Sequence, residues 1–453
     1  MTRPPRMRHP ALASPLFSAN RARLKQLMSA NSLALVNAND LLPTNADGTF
    51  LLHQNADLFY LTGVRQEESI LLLYPDAPDA KFREILFLRQ PSELLATWEG
   101  PKLTKEQARA ATGIQRIEWL NDFPAIFHRL MCECDELYLN TNEHKRAVIE
   151  VETRDARFVR DTQRRYPLHR YQRLARLMHR LRVVKSEAEV ELVREACALT
   201  RRGFERVLRR VRPGWRENEV EAEFAYAFIR GGGGFAYPPI VASGAAACVL
   251  HYVQNNAVCH AGDLLLLDVG ASYSLYNADM TRTIPVSGRF TRRQRQVYEK
   301  VLGIQRAAIQ LLRPGLVYAD WHRAVEMMAE ESCLSLGLLT RSQVRRQDPD
   351  APAVKEFFMH GTGHPLGLDV HDVGFTTEPM QAGWIMTCEP ALYLRKEGFA
   401  VRLEDDILIT ENGPVNLMGD IPIEVEEIEE RMAGAKAATR RRTPVRRRRG
   451  RPA

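Results

Sequence analysis

Hydrophobic and polar positions alternate in two different rhythms along the chain. From about residue 17 to 175, short apolar runs are separated by turns. LALVN, SILLLYP, EILFLR and ELYLN have the length and composition of strands, and ANRARLKQLMSA and LTKEQARAATG have helical spacing. Alternating elements of this kind predict an α/β domain. DLFYLTG, at 57–63, is the most distinctive stretch of this half, which has no dense cluster of chemically active residue types.

The rhythm lengthens after RLMHRLRVVKSE, at 176–187. Ser186 and Glu189 form an S-x-x-E box, and apolar positions then recur at helical spacing to Val211. Arg212-Pro213-Gly214 ends this helix, and a second one spans about Glu217 to Ile229, before Gly231 to Gly234. The pattern returns: a Thr291–Gln294 box opens a helix to Leu312, Arg313-Pro314-Gly315 stops it, and another helix runs from Tyr318 to Leu336. The two Arg-Pro-Gly breaks lie 313 − 212 = 101 positions apart, which suggests two similar halves around one site. Strand-like runs follow each unit: LLLLDVGAS, TRTIPVSG, WIMTCEPALYL and DDILITE, and Val401, Leu403, Ile407 and Ile409 extend the last into VRLEDDILIT.

The 453 residues are ample for two cores. No apolar run approaches the roughly 20 residues that cross a bilayer. The first residues carry positive charge without an apolar h-region, so a signal peptide is not expected. Seven scattered cysteines, with only Cys132 and Cys134 close together, read as reduced thiols of a cytoplasmic protein. The net charge of +7 resides in the last segment, where 436–453 hold Lys436 and eight arginines, so the rest sums to 7 − 9 = −2. That tail cannot bury apolar surface and is expected to be disordered, with weak, charge-driven contact to RNA, DNA or anionic lipid as its candidate interactions.

The chemistry concentrates in the second half. Asp268 follows four leucines, so it stands at the end of a buried strand, where a carboxylate must be paired or metal-bound. Asp279 comes eleven residues later, and a strand, a turn and a returning strand would bring the two together. Residues 360–372 place His360, His364 and His371 among three glycines and two aspartates. Glu389 ends another apolar run, and Glu404 lies in an acidic triplet whose Asp405 and Asp406 have no mark of a metal role. Asp268, Asp279, His364, Glu389 and Glu404 are four carboxylates and one imidazole, a donor set suited to two hard divalent cations and, if they converge, to metal-assisted hydrolysis.

Together these segments resemble the pita-bread metallopeptidase family, M24, and most closely its proline-specific branch of aminopeptidase P and prolidase. NADLFYLTG with the following EES resembles the branch's N-terminal domain, and IPIEVEEIEERM its usual ending. The resemblance implies a creatinase-like N-terminal α/β domain at 15–175 after a flexible arm at 1–14. It implies a pita-bread domain of two pseudo-symmetric halves at 176–432, and the tail begins at 433. It also implies that Asp268 binds one ion, that Asp279 and Glu404 bridge both, and that His364 and Glu389 complete the second. Mn²⁺ is the expected metal. Glu389 doubles as proton acceptor, and His251, His360 and His371 act as substrate groups, with Arg402 and Tyr393 near the centre. The implied activity is release of the first residue from peptides with proline second; prolidase and a non-catalytic binding protein are the alternatives. A homo-oligomer, dimer or tetramer, is expected. The chain departs from the usual pattern in a short stretch after His371 and in Ala391, where a glycine is usual, and HGTGH suits prolidase as well.

Overall fold

A computed structural model of the chain describes residues 12–148 and 150–442. The chain divides into two compact units between Arg182 and Val183. The sequence placed this division at 175. It falls later because helix α7 (Leu174–Val183) is held by the first unit: Tyr60 donates to the Leu181 carbonyl at 3.3 Å, and Arg182 pairs with Asp57 at 2.8 Å.

The first unit is a six-stranded mixed sheet. Its strands are β1 (Ser32–Asn37), β2 (Ile70–Leu73), β3 (Glu84–Leu88), β4 (Arg116–Trp119), β5 (Glu136–Leu139) and β6 (Arg170–Arg173), in the order β4-β3-β2-β1-β5-β6. Helices α1 (Ser14–Leu27), α2 (Ala56–Thr62), α3 (Glu93–Glu99), α4 (Lys105–Thr112), α5 (Phe123–Met131) and α6 (Arg154–Arg165) complete it. Leu33, Leu35, Leu72, Ile85, Phe87 and Leu137 fill one core. DLFYLTG is mostly helix α2: Asn55 caps it by accepting from the Asp57 and Leu58 amides, and Gly63 ends it at φ 70°. β6, RYQR, is polar and largely exposed, as an edge strand can be.

The second unit repeats itself. Helices α8 (Glu187–Arg210) and α9 (Glu217–Arg230) precede a three-stranded antiparallel sheet of β8 (Ile240–Ser243), β9 (Leu264–Asp268) and β12 (Thr281–Pro285). Helices α10 (Arg292–Leu311) and α11 (Tyr318–Ser335) precede a second one, of β13 (Ile385–Cys388), β16 (Asp405–Thr410) and β17 (Gly413–Asn416). Both Arg-Pro-Gly breaks turn through a left-handed glycine, Gly214 at φ 92° and Gly315 at φ 89°. The capping boxes form as read: the Ser186 amide meets the Glu189 carboxylate at 2.9 Å, and the Thr291 amide meets the Gln294 side chain at 2.9 Å. The short strands β7 (Gly234–Phe235), β10 (Ala271–Tyr273) and β11 (Tyr276–Asn277) make a third sheet, the hairpin of β14 (Ala391–Leu394) and β15 (Phe399–Arg402) a fourth, and α12 (Arg341–Arg346) is a short outlying helix.

Two sequence expectations are corrected here. VRLEDDILIT is not one strand: β15 ends at Arg402 and β16 begins at Asp405, because the chain changes partner from β14 to β13. Glu404 occupies the break and bridges across to Thr281. The segment from 433 begins as the end of helix α13 (Val425–Arg442), since AGAKAATRRR is rich in the good helix formers Ala, Lys and Arg. The remainder of the tail, 443–453, and most of the N-terminal arm lie outside the described residues. Among the described residues no helix is long and apolar enough to cross a membrane. All seven cysteines are free thiols, Cys132 exposed and Cys134 buried.

Candidate metal centre

The register of β9 and β12 pairs Asp268 with Thr281, and so brings Asp268 and Asp279 to the same end of one sheet. The Tyr237 hydroxyl marks their convergence: it stands 2.6 Å from Asp268 Oδ1 and 2.5 Å from Asp279 Oδ1. Its single proton can serve only one of these oxygens at a time.

The second half of the unit supplies the other donors. Glu404 Oε2 accepts from the Thr281 hydroxyl at 2.6 Å, and the Glu404 amide donates to the Thr281 carbonyl at 3.0 Å. His364 Nδ1 lies 3.0 Å from the Pro365 carbonyl, so that nitrogen carries the proton and Nε2 offers its lone pair. Nε2 faces Asp279 Oδ2 at 3.5 Å and Glu389 Oε1 at 3.8 Å. One donor atom each from Asp279, His364 and Glu404 lies within 4.8 Å of the others, and all three residues are buried.

These residues fit a cationic occupant on their charge balance. Four carboxylates converge on one imidazole and one guanidinium, Arg402, which bonds Asp268 through Nη2. Burial pushes the Glu389 carboxyl up to about 7, against the pull of His364 and Arg402. Burial, and then the fields of Asp279, Glu389 and Asp268, push Glu404 well above the usual range. Asp268 is also raised by burial, with Arg402 opposing and Asp279 adding. Burial opposes a charge on His364, but its bond to Asp279 and the Glu389 field prevail and raise it. Oxygen-rich donors that repel one another, beside an imidazole with its lone pair turned inward, suit a divalent ion.

The outlying residues form a chain of contacts. From Asp268, Arg402 reaches the Tyr393 hydroxyl through Nη1 at 2.7 Å, and that hydroxyl meets His360 Nε2 at 2.9 Å. His360 Nδ1 is 2.7 Å from the Gly361 carbonyl and 3.6 Å from Glu389, and burial holds its imidazole down to about 3. His371 is exposed and sets its ring edge-on against His364, with centroids 4.3 Å apart. His251 is exposed in the segment after the 244–248 turn, and no described contact ties it to the cluster.

Sequence reading missed three residues that hold the candidate ligands. Tyr237 had no signal beyond its place before Pro238-Pro239. Asp406 accepts the Asp279 amide at 3.1 Å and the Cys197 thiol at 3.4 Å, so it fixes the backbone of a candidate ligand. Arg282, fully buried, bonds Asp405 at 2.6 Å and the Glu404 carbonyl at 2.8 Å. The acidic triplet thus divides its labour: one candidate ligand and two supports.

Comparison with known proteins agrees with this geometry. Residues 191–411 match Metallopeptidase family M24, and residues 17–138 match the aminopeptidase P N-terminal domain. The Xaa-Pro aminopeptidase of Escherichia coli (strain K12) is 31% identical over 436 residues, covering 93% of this chain and 98% of that protein. The Xaa-Pro aminopeptidase of Haemophilus influenzae is 32% identical over 433 residues, covering 92% and 96%. Among solved structures, the aminopeptidase PepP of Pseudomonas aeruginosa aligns with a TM-score of 0.83 at 32% identity, covering 94% of this chain and 99% of that one. The zinc-substituted E. coli aminopeptidase P in complex with product aligns equally well, with a TM-score of 0.83 at 31% identity, covering 94% and 99%. An N-terminal domain and a catalytic domain both matched, with an inward-facing Asp–His–Glu cluster in the second, place this chain in metallopeptidase family M24, in its aminopeptidase P group.

Proposed function

We propose that this chain is a Xaa-Pro aminopeptidase that holds two divalent ions, Mn²⁺ by preference, in the cluster of Asp268, Asp279, His364, Glu389 and Glu404. The observation that carries this reading is the meeting of Asp279, His364 and Glu404 donor atoms within 4.8 Å. Asp268, Asp279 and Glu404 would hold one ion, and Asp279, Glu404, His364 and Glu389 would hold the other. Bound divalent ions supply the positive charge that acidifies a water and polarises the scissile carbonyl.

The protein's own groups do the rest. Glu389, half-buried beside His364, takes the proton of the attacking water; any pKa assigned to it belongs to the whole cluster. The Asp268–Arg402–Tyr393–His360 chain holds His360 neutral at the edge of the site, where its ring helps wall the proline pocket. His371, packed on His364, contacts the scissile region. His251 is read as a further substrate group on the family resemblance. A proline nitrogen carries no hydrogen after acylation, so recognition of that residue rests on shape rather than on an amide donor.

Seven free thiols favour a cytoplasmic setting. Exposed Phe50, Leu51, Leu94 and Trp98 give the first unit apolar surface for self-association into a dimer or tetramer, which light scattering would measure. The arginines of 443–453 add weak, salt-sensitive affinity for nucleic acid, testable by anisotropy with a labelled RNA across a salt series. The decisive experiment strips metal with a chelator, restores Mn²⁺, and compares Ala-Pro-Ala with Ala-Pro. Turnover of the tripeptide, dependent on added metal, is expected. Turnover of the dipeptide alone assigns the chain to prolidase, and no turnover with no metal uptake assigns it to a binding role.

A further inference from the structure

We propose that His322 is a positioning residue: through the Thr362 hydroxyl it holds the turn that carries His360 and His364. The inference rests on the reading of His364 as a metal ligand, but neither His322 nor Thr362 belongs to the ligand set.

The geometry begins on α11. Tyr318, His322 and Glu326 are spaced four apart and share one helix face. His322 Nδ1 is 2.8 Å from Thr362 Oγ1, and its Nε2 is 3.2 Å from Glu326 Oε1. Lys355 Nζ also stands 3.4 Å from Nε2, but the Glu326 carboxylate is the nearer partner and itself engages Lys355; a carboxylate only accepts, so we assign the hydrogen to Nε2, which leaves Nδ1 the acceptor and the Thr362 hydroxyl the donor. Lys355 bonds the same Glu326 carboxylate and fixes it from the other side. The Tyr318 ring stacks on the imidazole at 6.0 Å and 15°, and Phe358 meets its edge at 6.1 Å. Burial outweighs the Glu326 field and lowers the His322 pKa, which keeps the acceptor available at neutral pH.

Thr362 is the middle of HGTGH and is fully buried. Its carbonyl accepts the Glu389 amide at 2.9 Å. Two residues on, the His364 amide donates to Thr387 Oγ1 at 3.0 Å and the His364 carbonyl accepts the Thr387 amide at 2.9 Å. The turn is therefore tied to β13 on one side, by bonds that fix His364 and Glu389 together. On the opposite side His322 holds it to α11. A shift of Thr362 displaces a candidate ligand on each side of it, although His322 touches neither.

Side-chain isosteres separate this role from plain packing. The amide of asparagine falls where Nδ1 stands and keeps an acceptor for Thr362; that of glutamine falls where Nε2 stands and keeps only the Glu326 side. The test measures Mn²⁺ binding by calorimetry, thermal midpoints, and kcat and KM on Ala-Pro-Ala. His322→Gln and Thr362→Val are expected to weaken Mn²⁺ binding several-fold and to lower kcat about tenfold, about 1.4 kcal/mol of barrier, with KM within about twofold. His322→Asn should recover most of both. The double variant His322→Gln/Thr362→Val should be no worse than either single change, because one bond is lost once. Equal behaviour of His322→Asn and His322→Gln, or additive losses in the double variant, overturns the proposal. The Mn²⁺ measurement needs no substrate. An absence of wild-type turnover with the calorimetric pattern intact therefore counts against the aminopeptidase reading and leaves this one supported.

Discussion

Removal of metal should make stability fall as pH rises, and Glu389 is the group that reports it. In the folded chain its carboxyl is raised from 4.5 to about 7, chiefly by burial. A raised carboxyl pKa means that the folded state binds the proton more tightly than the unfolded state does. Its stabilising contribution is complete below about 4.5 and is lost as pH climbs through about 7. The shift, about 7 − 4.5 = 2.5 units, corresponds to about 3 kcal/mol at about 1.4 kcal/mol per unit. Nearly all of that loss falls between about pH 4 and pH 8, and about three quarters of it between about pH 5 and pH 8. For a unit of this size it amounts to roughly 5 °C or more in thermal midpoint.

His360 works in the opposite sense. Burial holds it down to about 3, so the unfolded chain gains a proton there, and stability falls, as pH drops below about 6.5. The reference must therefore be the Glu389→Gln variant, which keeps His360 and every other titrating group and replaces the protonated carboxyl by a neutral isostere. The assay is scanning calorimetry of both proteins after exhaustive chelation, at pH 5, 6, 7 and 8. The difference in midpoint, wild type minus variant, should fall steadily across the series. Saturating Mn²⁺ should remove that decline, because the cation stabilises the ionised form. A metal-free difference that stays flat or grows with pH would refute the claim that burial and mutual repulsion dominate this cluster.

Three further outcomes follow from the same geometry. His364→Ala removes one of the donors that meet within 4.8 Å; its loss of Mn²⁺ affinity should exceed the about 10–100-fold that supporting residues command, read by calorimetry, and turnover should vanish with it. Lys185 and Asp372 form a fully buried pair at 3.0 Å beside His371; Lys185→Met should cost about 3–5 kcal/mol in chemical denaturation, and Lys185→Met/Asp372→Leu should recover most of it. A Cβ at Gly363 would stand 2.0 Å from the Thr387 carbonyl, so Gly363→Ala should push the HGTGH turn off β13 and abolish Mn²⁺ uptake, while circular dichroism still reports a folded protein.

Much of this molecule is written in local pattern. Four helices, two of them with boxes and Arg-Pro-Gly stops, are legible because capping and periodicity act within a few residues, and LLLLD or WIMTCE name their strands by apolar runs ending in an acid. Asp268 and Glu389 stood out for the same reason: a carboxylate at the end of a buried strand is costly unless something holds it, while His364 stood out in a run dense with histidine and glycine. Composition and spacing do not say which groups do the holding. Tyr237 reaches Asp268 and Asp279 over 31 and 42 residues, Asp406 reaches the Asp279 amide over 127, and Lys185 reaches Asp372 over 187. RYQR lacks the apolar signature of a strand and becomes β6 only because β5 offers it an open edge. VRLEDDILIT reads as one strand, yet its two ends pair in different sheets, and that change of partner puts Glu404 where it can face Asp279 and His364. Short-range sterics and hydrophobic period thus determined the elements and the identity of the reactive side chains. Only the tertiary packing decided which of them share a charge, because burial and repulsion depend on distances that the chain closes after it has folded.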